Sequence, residues 1–207
     1  MSPGMSTASW CGILLQTAQS TAPMREPASE LVIRAQRGDR DALGALLRAH
    51  GPMVLRLTHH LLGEVEGRDA AQQVFERIVR AIDSFDPSRA SFRTWAMTIA
   101  RNTCRDRFRR RKLERAAFSA EGEQEIGAAR ARRGDPERGL LRQVDAARLE
   151  RALGGLPEGM REAIVLFHVG GMAYEEIART LEIPIGTVMT WLYRGRRRLR
   201  VALEEGS

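Results

Sequence analysis

Met172–Ala–Tyr–Glu–Glu–Ile–Ala–Arg–Thr–Leu–Glu–Ile–Pro184, followed by Ile185–Gly–Thr–Val–Met–Thr–Trp–Leu–Tyr–Arg–Gly–Arg–Arg–Arg–Leu–Arg200, is the stretch whose reading decides the fold. Ile177, Ala178 and Leu181 form one apolar stripe at helical spacing, and Val188, Leu192 and Leu199 form another. The break at Glu182–Pro184 lets two short helices cross, the pattern of a helix-turn-helix. The second helix of such a unit enters the DNA major groove. Five arginines and no acids stand between Trp191 and Arg200. A helix pair in a plain bundle can show the same stripes, so the rest of the chain has to decide.

Moving toward the N-terminus, residues 140–207 read as one helical unit. Leu140, Val144, Leu149 and Leu153 begin it, and Leu156–Pro157 starts the next helix, with proline near the first helical position. Gly170–Gly171 ends that helix. Residues 116–139 show no sustained periodicity and are rich in Ala, Gly, Glu and Arg, the composition of a flexible linker. Residues 29–115 form a second helical unit. Ser29 caps a helix that stops at Gly38, and a second follows Asp39, bent early by Pro52. A third, from about Arg68 to Ile82, carries Ala71, Val74, Phe75, Ile78 and Ile82. The turn Asp86–Ala90 ends it, and Ser91 opens a fourth with Phe92, Trp95 and Ile99 on one face. Residues 1–28 read as a disordered leader whose first 23 residues are dispensable, with Met24 an alternative start. Nothing in the chain alternates like a strand. The expected fold is all-α, two small helical domains joined by a linker.

Bulk properties point to an acidic partner. The 207 residues carry a formal net charge of +7 and a pI near 10.7, with 43% apolar content, enough for real cores. Cys11 and Cys104 follow no metal-ligand spacing, which fits a reducing cytoplasm. The apolar run Trp10–Leu15 is too short for a signal peptide, and no run is long enough to insert into a membrane.

A second cationic cluster closes the first unit. Residues 101–115 hold eight basic and two acidic side chains. One such cluster could be a solvated helix end set favourably at the negative end of its dipole. Two of them, on separate units beside a helix-turn-helix, fit one ligand with two contact sites, as duplex DNA offers.

In this order the motifs resemble the ECF (extracytoplasmic-function) sigma factors of bacterial RNA polymerase. Leu31–Val–Ile–Arg–Ala–Gln–Arg–Gly–Asp–Arg–Asp–Ala42 is similar to their opening helix. Arg68–Asp–Ala–Ala–Gln–Gln–Val–Phe–Glu–Arg–Ile–Val79 is similar to the polymerase-binding helix. Ser91–Phe–Arg–Thr–Trp–Ala–Met–Thr–Ile–Ala–Arg–Asn102 resembles the helix that meets the −10 element, and Leu153–Val165 with the helix-turn-helix resembles region 4. The resemblance implies a promoter-recognition factor without chemistry of its own, needing no cofactor or metal. Its implied partners are core polymerase, promoter DNA and an anti-sigma factor, and its implied place is the cytoplasm.

The implied roles fall on named residues. Asp69, Gln72, Gln73, Phe75, Glu76 and Val79 would dock on polymerase, although a place in the core suits Phe75 equally well. Phe85, Ser88, Arg89, Ser91 and Asn102 would capture an unstacked −10 base, with Arg101, Arg105, Arg109 and Arg110 on phosphates. Trp95 is read as core packing. Thr187, Met189, Thr190, Tyr193, Arg194, Arg197 and Arg198 would meet the −35 element. The chain departs from the family at Ala173, Met189, Thr190, Trp191 and Gly195, so the −35 sequence preference does not carry over.

Two rival readings exist. A helix-turn-helix regulator acting without polymerase would need a sensing domain, and no parallel-sheet pattern supplies one. An enzyme would need a site, and His59–His60 with Glu64 lacks a third ligand at metal spacing.

Overall fold

The computed structural model describes residues 28–118 and 147–204, and all the helices below lie there. The leader, most of the linker and residues 140–146 fall outside the described residues. Eight α-helices are described: α1 (Ala28–Gln36), α2 (Arg40–Leu62), α3 (Glu64–Ala81), α4 (Phe92–Phe118), α5 (147–154), α6 (Glu158–His168), α7 (Tyr174–Leu181) and α8 (Ile185–Glu204). A 3₁₀ turn, Ile82–Ser84, joins α3 to the loop before α4. No strand occurs among the described residues. None of their helices is long and apolar enough to cross a membrane.

In the first unit α2 is the central element and packs against α1, α3 and α4. The Asp39 side chain caps it, accepting from the Asp41 and Ala42 amides at 3.0 Å each. Its inward stripe, Leu46, Val54, Leu57 and Leu61, is almost wholly buried. Pro52 sits inside the helix without ending it. The third helix begins at Glu64 rather than near Arg68. Gly63 makes the short turn before it at φ +84°, which a side chain would strain.

One turn into α3, Gly67 brings the two backbones together. A Cβ there would lie 2.8 Å from the His59 backbone, which cannot swing away as a side chain could. Gly67→Ala should therefore cost about 1–3 kcal/mol by overpacking. Urea unfolding would check it, and an unchanged midpoint would show that α2 and α3 can separate freely.

Arginines tie α4 to α3. Arg77 Nη1 donates to Thr103 Oγ1 at 3.1 Å and to Asp106 at 3.2 Å. Arg107 Nε donates to Gln73 at 3.3 Å, and Arg111 pairs with Glu66. The Cys104 thiol is fully buried, and burial pushes its pKa up to about 12. It is a packing residue.

In the second unit α6, α7 and α8 pack on one another. Leu153, Leu156, Ile164, Leu166, Ile177, Val188, Leu192 and Leu199 are buried. Gly195 is buried as well, and a Cβ there would meet Ile164 and Met160 at 3.0–3.1 Å. Its place in the helix is a packing requirement: α8 crosses α6 closely at this point.

Burial sets a pH dependence. The His60 imidazole is pushed down to about 4, chiefly by burial, with His59 and Arg56 adding to it, and its Nδ1 is buried without a partner. The folded state thus holds His60 neutral, while the unfolded chain binds a proton near the ordinary imidazole value of 6.5. Stability from this group is complete above that value and is lost as pH falls toward 4. The expected slope is roughly 1 kcal/mol per pH unit across that window. Calorimetry of wild type and His60→Leu should show the slope shallower in the variant; parallel curves would place the proton elsewhere.

Candidate nucleic-acid interface

Ser91 Oγ accepts from the Thr94 amide at 3.1 Å and so starts α4. The loop before it is anchored, not open throughout. Phe85 is buried, its ring 4.9 Å from Trp95 and 5.8 Å from Phe92. Gln36 Nε2 donates to the Phe85 carbonyl at 2.7 Å and to that of Ile82 at 3.0 Å. This corrects the expectation that Phe85 takes part in base capture: it is the loop's root. Ser88, Arg89 and Ser91 are exposed, and Asp86 holds the turn by accepting from the Ser88 amide and hydroxyl. Trp95 packs on the core, as its spacing predicts.

The cationic run 101–115 divides into two sets. Arg107 and Arg111 serve the α3 contact described above. Arg109 and Arg110 are exposed and Arg105 half-buried. Arg101, expected on phosphate, is instead only 6% exposed. Its Nε donates to Glu162 Oε2 at 2.9 Å and its Nη1 to Asn102 Oδ1 at 3.1 Å. Asn102 is exposed. With Oδ1 engaged by Arg101, the amide N–H groups are its remaining hydrogen-bonding capacity.

The helix-turn-helix is built as its sequence requires. Ala173 sits at the N-cap of α7 without an acceptor side chain, but Glu176 Oε2 accepts from the Ala173 amide at 2.8 Å. Half of a capping box therefore survives the missing hydroxyl. Glu182 ends α7 in the left-handed conformation, φ 57°, and the Ile183 amide donates to the Ala178 carbonyl at 3.0 Å. In α8, Met189, Thr190, Tyr193, Arg194, Arg197 and Arg198 are exposed, and Thr187 is half-buried. Tyr193, Arg194, Arg197, Arg198, Val201 and Ala202 line a shallow groove along the helix. Trp191 turns away from it and lies over Gly159, where a Cβ would touch the indole. At the far side His168 Nε2 accepts from Arg196 at 3.3 Å while Arg196 also lies over the Phe167 ring, locking α6 to α8.

Comparison with known proteins accounts for both units. The model of sigma-70 region 2 matches residues 46–114 and that of sigma-70 region 4 matches residues 146–199. The RNA polymerase sigma-H factor of Pseudomonas aeruginosa is 32% identical over 192 residues, 87% of this chain and 95% of that one. The ECF RNA polymerase sigma factor SigW of Bacillus subtilis is 32% identical over 177 residues, 83% of this chain and 94% of that one. The chain belongs to the ECF sigma factors of bacterial RNA polymerase. Among solved structures, CnrH in complex with the cytosolic domain of CnrY matches with a TM-score of 0.65 and 27% identity, over 88% of this chain and all of that one.

In this sigma factor the outer face of α3 is a polar stripe closed by one exposed valine. Asp69, Gln72, Glu76 and Val79 are exposed at steps of three, four and three, and Gln72 Nε2 lies 3.4 Å from Glu76. Phe75 and Gln73 are not part of it. Phe75 leans on the core over Gly51, and Gln73 is held by Arg107. Of the residues expected to dock on polymerase, four share a face and these two turn inward.

The two sigma regions also touch each other, which no motif foretold. Thr94 Oγ1 donates to Glu176 Oε1 at 2.5 Å, and Thr98 and Thr180 hydroxyls lie 3.3 Å apart. Arg161 lies over the Phe108 ring at 5.1 Å, and His59 pairs with Glu150. The Arg101–Glu162 pair is the centre of this contact, with side chains 8% and 4% exposed. Burial raises the Glu162 pKa, and Arg101 opposes that shift. Glu162 heads a run of five residues, Glu162 to Leu166, that are all buried.

Proposed function

We propose that this chain directs core RNA polymerase to the promoters of an alternative regulon, working in the cytoplasm where polymerase and DNA are. The carrying observation is the arrangement of surfaces on one ECF chain. An exposed polar face on α3 suits a protein partner, the Asn102 edge of α4 with Arg105, Arg109 and Arg110 suits a single strand, and the groove face of α8 suits a duplex. Asp69, Gln72, Glu76 and Val79 dock on polymerase. Ser88, Arg89, Ser91 and Asn102 receive the −10 strand. Met189, Thr190, Tyr193 and Arg194 face −35 bases, and Arg197 and Arg198 hold phosphates, giving affinity without sequence. CnrH was solved with the cytosolic domain of CnrY; a protein of that anti-sigma kind is a further partner for this chain. The domain limits that serve this reading are 29–115 for region 2, 116–139 for the linker and 140–207 for region 4.

Run-off transcription with core polymerase on genomic fragments tests the function. Discrete transcripts dependent on this chain are expected, and their absence across the genome would overturn it. Asn102→Ala should lower promoter opening about tenfold while core affinity stays unchanged, because an amide–base contact is specific to the melted strand. Fluorescent base-analogue opening, measured beside core binding, separates the two; a loss confined to core binding would move Asn102 to the protein interface.

A further inference from the structure

We propose that the first turns of α8 read thymine through its methyl group, with Met189, the Thr190 methyl and the Tyr193 ring as the reading surface. The proposal rests on the −35 reading for the groove in which these side chains sit.

Gly186, Met189, Thr190, Tyr193, Arg194 and Arg197 follow at steps of three, one, three, one and three, so they share one face of the helix. Val188, Leu192, Gly195 and Leu199 are buried on the opposite side. The exposed face changes character along its length. Its later part is cationic, with Arg194, Arg197 and Arg198 along the shallow groove. Its first part carries no charge. Met189 and Tyr193 are exposed large hydrophobic side chains. Thr190 Oγ1 donates to the Gly186 carbonyl at 2.8 Å, so its hydroxyl proton is spent within the helix. A Cβ on Gly186 would meet nothing within 4 Å, so no packing of the chain fills the space in front of it.

A recognition helix brings its N-terminal residues to the base edges. Those edges offer acceptors, donors and one apolar feature, the C5 methyl of thymine. A thioether, a methyl and an aromatic ring supply no paired donors for guanine and no amide for adenine. The thymine methyl is the feature they can bury. Charge commits the patch to DNA rather than to a protein partner: Ile185–Arg200 holds five arginines and no acid. Met189 and Thr190 stand one turn before Arg194, roughly 6–8 Å along the axis. The thymine should therefore fall about two base pairs from the guanine that Arg194 contacts.

Holocomplex of the full chain with core polymerase selects from a randomised −35 library made once with thymine and once with uracil, which pairs identically and lacks only the methyl. The thymine library should yield that thymine beside the guanine, and the uracil library the guanine alone. On the selected duplex, uracil at that position should weaken binding about fourfold, the share of one buried apolar carbon. A 5-methylcytosine–guanine pair there should bind more tightly than cytosine–guanine by a similar factor. Met189→Ala and Tyr193→Ala should each shrink the thymine–uracil ratio and together bring it to one; both side chains are exposed, so neither change opens a cavity. Tyr193→Phe should retain the ratio, because the ring rather than the hydroxyl makes the contact. A selected sequence without the thymine, or equal binding of thymine and uracil duplexes by wild type, would overturn the inference. So would a ratio that survives the double alanine variant, since the methyl would then act through DNA shape. Loss of core affinity in that variant without any thymine preference would assign the patch to a protein partner and overturn it too. The promoter reading fails separately, through absence of run-off by the wild-type chain.

Discussion

Phe92→Ala should destabilise region 2 by about 3–5 kcal/mol, the usual loss for truncating a buried phenylalanine. Phe92 is 1% exposed and is among the largest fully buried side chains of the protein. Its ring lies 5.1 Å from His50, 5.6 Å from Trp95 and 5.8 Å from Phe85. Alanine would therefore remove both the burial and three aromatic contacts, leaving a cavity that stiff neighbouring rings fill poorly. In a unit of this size each kcal/mol moves the melting temperature by roughly 4–8 °C, so the expected fall exceeds about 12 °C. The loss has a functional side. Phe92 and Trp95 hold the Phe85 ring, and Phe85 roots the loop that carries Ser88 and Arg89. Promoter opening should fall further than the folded fraction alone predicts. Thermal unfolding with base-analogue opening below the transition measures both. A melting temperature within a few degrees of wild type would mean that the aromatic cluster repacks around the gap.

The same cluster shows what the sequence could and could not disclose. Helical periodicity located every described helix, because apolar positions such as Val74 and Ile78 recur whatever the tertiary context, but it missed three ends: α1 starts at Ala28, so Ser29 lies inside it instead of capping it, α3 starts at Glu64, and α4 runs on to Phe118. Gly63 and Gly67 were harder to read. Their roles depend on how closely α2 and α3 approach, and that distance is a property of two helices together. Charge was legible as a sum but not as a distribution. The run 101–115 reads as one cationic surface, yet Arg101, Arg107 and Arg111 each found a carboxylate or amide elsewhere in the chain. A guanidinium looks the same in sequence whether its partner is a phosphate or Glu162. The contact between the two regions was invisible for the same reason: Thr94, Thr98 and Thr180 are short polar residues that mark no stripe until the surfaces meet. The loop residue Phe85 was misread because an aromatic beside a turn suits base stacking and core anchoring equally well. Gln36, forty-nine residues away in sequence, decides for anchoring by donating its Nε2–H to the Phe85 carbonyl.

Region 4 offers the sharpest test of specificity. Arg194→Ala should erase selectivity at one −35 position, whereas Arg198→Ala should weaken binding evenly over all promoters. Val188, Leu192, Gly195 and Leu199 are the buried face of α8, so Arg194 projects from the opposite, exposed side near mid-helix. Trp191 is taken up by packing over Gly159, and Thr190 Oγ1 donates back to the Gly186 carbonyl at 2.8 Å. Met189 and Tyr193 are 54% and 69% exposed but lack the paired donors that read guanine. Guanine discrimination thus concentrates on Arg194, whose guanidinium can pair with both acceptors of a guanine edge for about 1–3 kcal/mol of selectivity. Arg198 stands one turn later, where the helix leaves the groove, and a phosphate contact there adds affinity and salt dependence but no sequence preference. Selection from a randomised −35 library by holoenzyme carrying each variant distinguishes them. Wild type should yield a guanine at one position, Arg194→Ala should lose it, and Arg198→Ala should keep it at lower overall affinity. An unchanged preference in Arg194→Ala would show that this recognition helix reads groove shape, with the line of Tyr193, Arg197 and Arg198 following the backbone in place of a base contact.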